Sequence, residues 1–406
     1  MKNDKKYIII LGDGMSDYKD ENGKTPLMCA DKPEIDYIAQ RGETGLCRTI
    51  PKGMKPGSDN ANLSVLGYDP LLYYTGRSPL EAVSIGVKLS DTDVCYRCNL
   101  VTLSGDEPYE KKVMLDYSSD EISSAESGVL IEYLQKNMDF SAAFELYKGV
   151  SYRHCLVMHG GSLGAKLAQP HDISDKAITD YMPQGENAAV FRGMMIKSYG
   201  LLKGHPINTE RQKRGLRPAN SMWLWGEGKK PALPSFKEKF GKSGAMISAV
   251  DLLKGIAILA GMKVCEVKGA TGNIHTDFEG KAAAALKTLK EGSDFVYVHV
   301  EAADECGHRG EKENKVKAIE YLSRRLIAPL VKGLKEEGFD YSMLIMPDHA
   351  TPLKLKTHTA DPVPYILYRS YDEREPSAAS YNEDSCAASG IIEEKGHTLI
   401  QKLLSK

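Results

Sequence analysis

Four short stretches of the chain carry residue types that do chemistry together. Asp13 stands between two glycines directly after an apolar run, IIILGDGM, where the backbone can approach a cation closely. By itself Gly-Asp-Gly is also ordinary turn chemistry. Ser58 lies in PGSDNANLSVLGYDP, just ahead of a helical pattern, a place where a serine usually caps the helix. Asp304 and His308 in DECGH are four apart, so one helical turn projects both to the same side. MPDHATP and THTADPVP add Asp348, His349 and His358, a grouping that core packing does not explain. Three carboxylates and three imidazoles suit manganese or zinc, with magnesium a further fit, and suffice for two open sites. Two such ions about 4 Å apart clamp the attacking and leaving oxygens of an in-line phosphoryl displacement. A serine hydroxyl beside them loses its proton far more readily than a free one, which makes Ser58 the expected nucleophile. The chain has no G-x-S-x-G elbow and no P-loop lysine motif to support another reading.

These stretches need a scaffold. Tyr7–Leu11 reads as a buried parallel strand, and from Lys242 onward GAMISAV, KVCEV, FVYVHV and YSMLIMPDH alternate with helical patterns. That alternation predicts an α/β fold with a doubly wound, mostly parallel sheet, whose ligands gather at the carboxyl ends of the strands. At 406 residues two domains are expected. A discontinuous core over 1–85 and 235–406 would carry the chemistry, and 86–234 would form an inserted, smaller α+β substrate-binding or lid domain. Within that insert, VCYRCNLVTL, AAFELYKG and YRHCLVMHG read as strands, Ser123–Lys136 as a polar helix, and the stretch from about 165 to 235 as loops with short helices.

Composition narrows the function class. Apolar residues make up 42% and charged residues 27%, the formal net charge is −2, and the basic residues are spread evenly, so no nucleic-acid footprint appears. No segment has the run of roughly 18 apolar residues that a membrane span needs, and the first apolar run is shorter than a signal sequence requires. A cytoplasmic location is expected. The eight cysteines are expected to be free thiols, with Cys95 and Cys98 in a strand and not in a zinc site. Nothing in the pattern specifies an oligomer.

The motifs LGDGM, PGSDNANLSVLGYDP, YYTGRSPLEA, YRHCLV, RPANSMWLWGEG, SAVDLLKGIA, GATGNIHTDFEGKA, HVEAADECGH and PDHATP, in this order, resemble those of the archaeal-type cofactor-independent (2,3-bisphosphoglycerate-independent) phosphoglycerate mutases of the alkaline phosphatase superfamily. The resemblance runs over nearly the whole chain. It implies an alkaline-phosphatase-like core in which Asp13, Ser58, Asp348 and His349 hold one divalent metal and Asp304, His308 and His358 the other. It also implies a phosphoserine at Ser58 and a small phosphorylated metabolite as substrate, 3-phosphoglycerate and 2-phosphoglycerate being interconverted. Arg153 and His154 on the insert and Lys254 on the core are the cations expected to grip its anionic groups. One segment departs from the pattern: mutase-type members carry Asp-Arg-Arg-Ala-Gly-Arg where this chain reads Leu115-Asp116-Tyr117-Ser118-Ser119-Asp120-Glu121-Ile122. The change removes three guanidiniums. It keeps homoserine kinase activity as an alternative, with Asp116, Asp120 or Glu121 meeting the ammonium group. A second use for these acids is capping of the helix that follows, through Asp120 or Ser119. A phosphatase of the same superfamily is the remaining alternative.

Overall fold

The computed structural model describes residues 5–377 and 380–405. In chain order its strands are β1 (Lys6–Gly12), β2 (Glu43–Cys47), β3 (Val94–Leu103), β4 (Met114–Asp116), β5 (Phe144–Val150), β6 (Arg153–Met158), the short β7 (Ala165–Lys166) and β8 (Gln184–Gly185), and β9 (Ser221–Lys229). They continue with β10 (Gly244–Ile247), β11 (Lys263–Val264), β12 (Phe295–Val300), β13 (Tyr341–Met346), β14 (Val363–Arg369) and β15 (Ile392–Glu393). The chain divides into two compact units, one of residues 1–74 with 233–406 and one of residues 75–232.

The first unit is an eight-stranded sheet in the order β11-β10-β12-β1-β13-β14-β2-β15. β1 lies between β12 and β13, parallel to both, with Leu11 level with His299 on one side and Met346 on the other. Every residue of β1 is buried, which is why its sequence is a continuous apolar run and not an alternation. Each of Ile8, Ile9, Ile10 and Leu11 is fully covered, a burial that contributes roughly 1.5–3 kcal/mol per side chain. The sheet is mostly parallel, but β14 runs antiparallel to both β13 and β2, so the parallel core ends in a reversed flank. The long helical pattern after Asn314 is divided in the structure. Helix Lys312–Tyr321 passes through a π-helical segment, Leu322–Ile327, into helix Ala328–Glu336, where Pro329 lacks the N–H that a regular turn would use.

The second unit is built on a five-stranded antiparallel sheet, β4-β3-β6-β5 with β9 on the free side of β3. Its first boundary falls ahead of helix Ser78–Ser84, because that helix packs on β3 and β9. The stretch from 165 to 235 is more regular than its Gly, Pro and Asn content predicts. It contains helix Ala188–Leu202, helix Pro206–Lys213 and β9, which pairs with β3 nearly end to end. Burial of Trp223 and Trp225 against the sheet outweighs the weak strand preference of Gly226 and Gly228. Cys95 and Cys98 sit three apart on β3 and therefore on opposite faces of the sheet.

Candidate active site

Because β12, β1 and β13 are neighbours and parallel, the residues just past their carboxyl ends converge. Asp13 follows β1, Glu301 and the helix Ala302–Arg309 follow β12, and Asp348 and His349 follow β13. Two clusters result, each with ligand atoms within 4.8 Å of one another: Asp13 with Asp348 and His349, and Asp304 with His308 and His358. Asp13 and Asp304 also group with Glu301. In the first cluster, His349 Nε2 is 3.4 Å from Asp348 Oδ2 and 3.6 Å from Asp13 Oδ1. In the second, the Nε2 atoms of His308 and His358 are 2.9 Å apart and lie 3.3 Å and 3.4 Å from the Asp304 carboxylate. The His349 and His358 rings stack with centroids 3.9 Å apart, which brings the two clusters together.

The electrostatics of this site call for a cation. Burial, then the charges of Asp348, Asp304 and Glu301, push the Asp13 carboxyl well above its ordinary range. Asp13 Oδ1 is buried without a hydrogen-bond partner among the described residues. Although burial works against its charge, hydrogen bonds to His308 and His358 hold Asp304 well below the usual carboxylate range. The same Asp304 bond raises His308 to about 9. A divalent ion at either cluster would take the place of such protons, and an orphaned carboxylate oxygen among imidazole nitrogens is a donor set that fits one.

The supporting contacts are as ordered as the clusters. His299, fully buried on β12, lies 2.9 Å from Asp13 Oδ2 through Nε2, while its Nδ1 is 3.1 Å from the Ser248 hydroxyl. Burial, then the neighbouring Lys281, lowers its pKa to about 3, so it faces Asp13 as a neutral ring. His308 Nδ1 bonds the carbonyl of Lys356 at 3.0 Å, and Lys356 adopts a left-handed conformation (φ 55°) rare for a side-chain-bearing residue. The bond to this carbonyl holds the ring with Nε2 toward Asp304.

Ser58 opens helix Ser58–Val65, and Gly57 occupies the cap position, so Ser58 is not the N-cap that its sequence context favours. Its Oγ lies 3.0 Å from His349 Nε2. One turn later, Asn62 donates to the Ser58 carbonyl at 2.8 Å and to Asp348 Oδ2 at 2.7 Å, and accepts from the Tyr297 hydroxyl at 2.6 Å. Asn62, Tyr297, His299, Glu301 and Thr351 are absent from the sequence-derived set. Asn62 alone had a local signal, since it repeats Ser58 at the i+4 spacing; the others depend on strand register.

The three expected substrate cations have different fates. Arg153 is exposed at the start of β6, its guanidinium 5.3 Å from the Tyr152 ring centroid. His154, its neighbour, faces inward: Nδ1 accepts from the Gly149 N–H, and burial lowers its pKa to about 3. A buried neutral imidazole supplies no positive charge, which corrects the expected cationic role. Lys254 is paired with Glu266 at 2.9 Å. The sequence reading missed Arg77 and Arg97. Both hold Glu81, at 2.7 Å and 2.8 Å, with Arg97 stacked 4.0 Å over Trp225. Burial opposes its charge, yet Arg97 and Arg77, with a contribution from Arg153, keep Glu81 below its ordinary pKa. Arginine therefore outnumbers acid in this part of the second unit.

The departing segment is structural. Asp116 accepts from the N–H groups of Ser118 and Asp120, closing a loop in which Ser119, Asp120 and Glu121 all have positive φ. Arg217 donates to the Leu115 carbonyl, and its backbone N–H to Asp120. The helix is capped by Ser123, not by Asp120 or Ser119, the capping alternative the sequence offered.

Comparison with known proteins fits this geometry. The family model for 2,3-bisphosphoglycerate-independent phosphoglycerate mutase matches residues 39–208. A Geobacter sulfurreducens protein named as a probable 2,3-bisphosphoglycerate-independent phosphoglycerate mutase is 48% identical over 403 residues, covering 99% of this chain and all of its own. The chain belongs to this mutase family. Another such mutase, from Methanosarcina acetivorans, is 46% identical over 95% of this chain and 96% of its own length. Among solved structures, a Pyrococcus horikoshii protein aligns with TM-score 0.81 at 28% identity, over 99% of this chain and 98% of that one. The cofactor-independent phosphoglycerate mutase of Thermoplasma acidophilum aligns with TM-score 0.65 at 26% identity, over 99% and 100%. Both alignments extend over the residues of both units.

Proposed function

We propose that this chain interconverts 3-phosphoglycerate and 2-phosphoglycerate without bisphosphoglycerate, by way of a phosphoserine at Ser58. The observation that carries the reading is the Ser58 hydroxyl, 3.0 Å from His349 Nε2 and beside the carboxylate–imidazole clusters. Asp13, Asp348, His349 and the Ser58 oxygen would hold one divalent ion, and Asp304, His308 and His358 the other, with manganese or zinc suited to this donor set and magnesium a weaker fit. Such ions supply Lewis-acid stabilisation of the phosphoryl charge and lower the pKa of a bound hydroxyl.

The chain's own residues do the rest. Asn62 and the helix hold Ser58 against the cluster, and the helix N-terminus favours the negative charge that phosphorylation places there. His299 keeps Asp13 turned so that one oxygen stays available. Arg153, Arg97 and Arg77 offer planar guanidiniums suited to a carboxylate or phosphate, and Lys254 does so if it exchanges its bond to Glu266. These three guanidiniums are present although the segment 115–122 carries none. The substrate is a small phosphorylated metabolite. No described helix is long and apolar enough to cross a membrane, and the scattered cysteines suit a reducing cytoplasm.

The test is direct. Purified protein loaded with manganese should convert 3-phosphoglycerate to 2-phosphoglycerate with no added bisphosphoglycerate. ATP-dependent phosphorylation of homoserine without that conversion would overturn the assignment, and net release of inorganic phosphate as the main product would point to a phosphatase.

A further inference from the structure

Thr351 lies in the stretch PDHATP, two residues after His349, and is completely buried. Its side-chain oxygen touches both clusters: it donates to Asp304 Oδ1 and lies 3.2 Å from His349 Nδ1. Its backbone is fixed as well, the carbonyl accepting from Lys315 Nζ at 2.8 Å and the N–H donating to the Ser16 carbonyl at 3.2 Å. Lys315 is in turn paired with buried Asp17 at 2.7 Å. Two glycines make the room: a Cβ at Gly14 would come within 2.6 Å of Thr351 Oγ1, and one at Gly307 within 2.6 Å of its carbonyl oxygen. Gly14 also has a φ of +60°, so a side chain there would be strained as well as crowded.

Counting protons orders this network. A threonine hydroxyl has one hydrogen, and an ionised carboxylate only accepts, so the Thr351 proton goes to Asp304. The contact between Thr351 Oγ1 and His349 Nδ1 must then be supplied by a hydrogen on Nδ1. A neutral ring with its hydrogen on Nδ1 leaves Nε2 a bare lone pair, and the neighbouring Ser58 hydroxyl, 3.0 Å away, donates to it. The polarity runs in one direction, from Ser58 through the His349 ring and Thr351 to Asp304. Without Thr351, the carboxylates of Asp348 and Asp13 on the Nε2 side would favour the opposite tautomer, with the proton pointing into the site.

We infer that Thr351 is a positioning residue that fixes the His349 tautomer, keeps its Nε2 lone pair facing Ser58, and mechanically joins the Asp304 cluster to the His349 cluster. The role of that lone pair as a metal ligand rests on the function proposed above; the tautomer itself does not. The experiment uses full-length protein labelled with nitrogen-15 in its imidazoles and treated with chelator, with His349 assigned by its loss in His349→Asn. Wild type and Thr351→Ser should show the proton on Nδ1 of His349, whereas Thr351→Val should move it wholly or partly to Nε2. A wild-type His349 protonated on Nε2, or a Thr351→Val spectrum identical to wild type, overturns the inference. If Thr351→Val does not fold, the wild-type and Thr351→Ser spectra still decide it. Calorimetric titration with manganese provides the second readout: Thr351→Val should bind about 10–100-fold more weakly and Thr351→Ser within a few-fold of wild type. Failure of the wild type to bind manganese would count against the metal sites, while the spectra would still report on Thr351.

Discussion

Removing Asn62 should damage stability and catalysis together. Asn62 is wholly buried and joins three groups: the Asp348 carboxylate, the Ser58 carbonyl and the Tyr297 hydroxyl. In Asn62→Ala the buried Asp348 loses a charge-assisted donor, worth about 1.5–3 kcal/mol, and the Tyr297 hydroxyl is stranded without an acceptor, at about 1–3 kcal/mol. A total of about 3–5 kcal/mol is expected in chelator-treated protein, read from urea unfolding of the core unit by circular dichroism. Tyr297→Phe strands the Asn62 oxygen instead and should cost about 1–3 kcal/mol. The double variant leaves neither group stranded, so its cost should fall short of the sum by about 1 kcal/mol or more. Turnover should drop about 100-fold in Asn62→Ala with little change in KM, because Ser58 is no longer held in place to within an ångström. Strictly additive stabilities would mean that Tyr297 and Asn62 are not bonded, and unchanged turnover would mean that Ser58 is positioned by something else.

Other outcomes are expected on the same grounds. Ser58→Ala should keep its fold and most of its manganese affinity while turnover falls by several orders of magnitude, which a mutase assay beside metal calorimetry checks. Chelation should abolish activity, and manganese should restore it better than calcium, whose preference for many oxygen ligands suits these imidazoles poorly. Lys315→Met should destabilise the protein by about 3–5 kcal/mol, since it leaves Asp17 charged and buried, and Lys315→Met/Asp17→Asn should recover much of that in thermal unfolding. His154 has a folded pKa of about 3 against 6.5, so the unfolded chain binds its proton first. Its contribution to stability should be complete above about pH 6.5 and be lost as the pH falls toward 3, and His154→Phe should flatten that acid limb measured by unfolding midpoints.

The sequence exposed the site through residues that are few in kind and adjacent to strand ends. Asp13, Asp304 with His308, and Asp348 with His349 each follow an apolar run, and parallel pairing of β12, β1 and β13 brings them together without further information. β14 was hidden because its first residues, Val363-Pro364, continue a stretch that reads as a proline-rich loop, and only pairing with β13 and β2 makes it a strand. β9 was hidden for a similar reason, its glycines masking two tryptophans that the neighbouring strand buries. His154 looked cationic from its neighbour Arg153, yet alternation along a strand sends adjacent side chains to opposite faces, one to solvent and one inward. The arginines around Glu81 lie at positions 77, 97 and 153, a grouping that only the antiparallel sheet and its packed helix create.

The central place of β1 has a consequence for biosynthesis. Its apolar side chains leave the ribosome well before the two strands that flank it, which are made only after the whole of residues 75–232. At about 5–20 residues per second, the stretch between Gly12 and Phe295 takes roughly 15–60 s to translate. During that interval the second unit has everything it needs to condense around its own interior, while Ile8–Leu11 must wait uncovered. Nascent chains that stop short of Phe295 therefore present a bare, β-prone segment to chaperones and proteases, and full-length synthesis is the step that silences it.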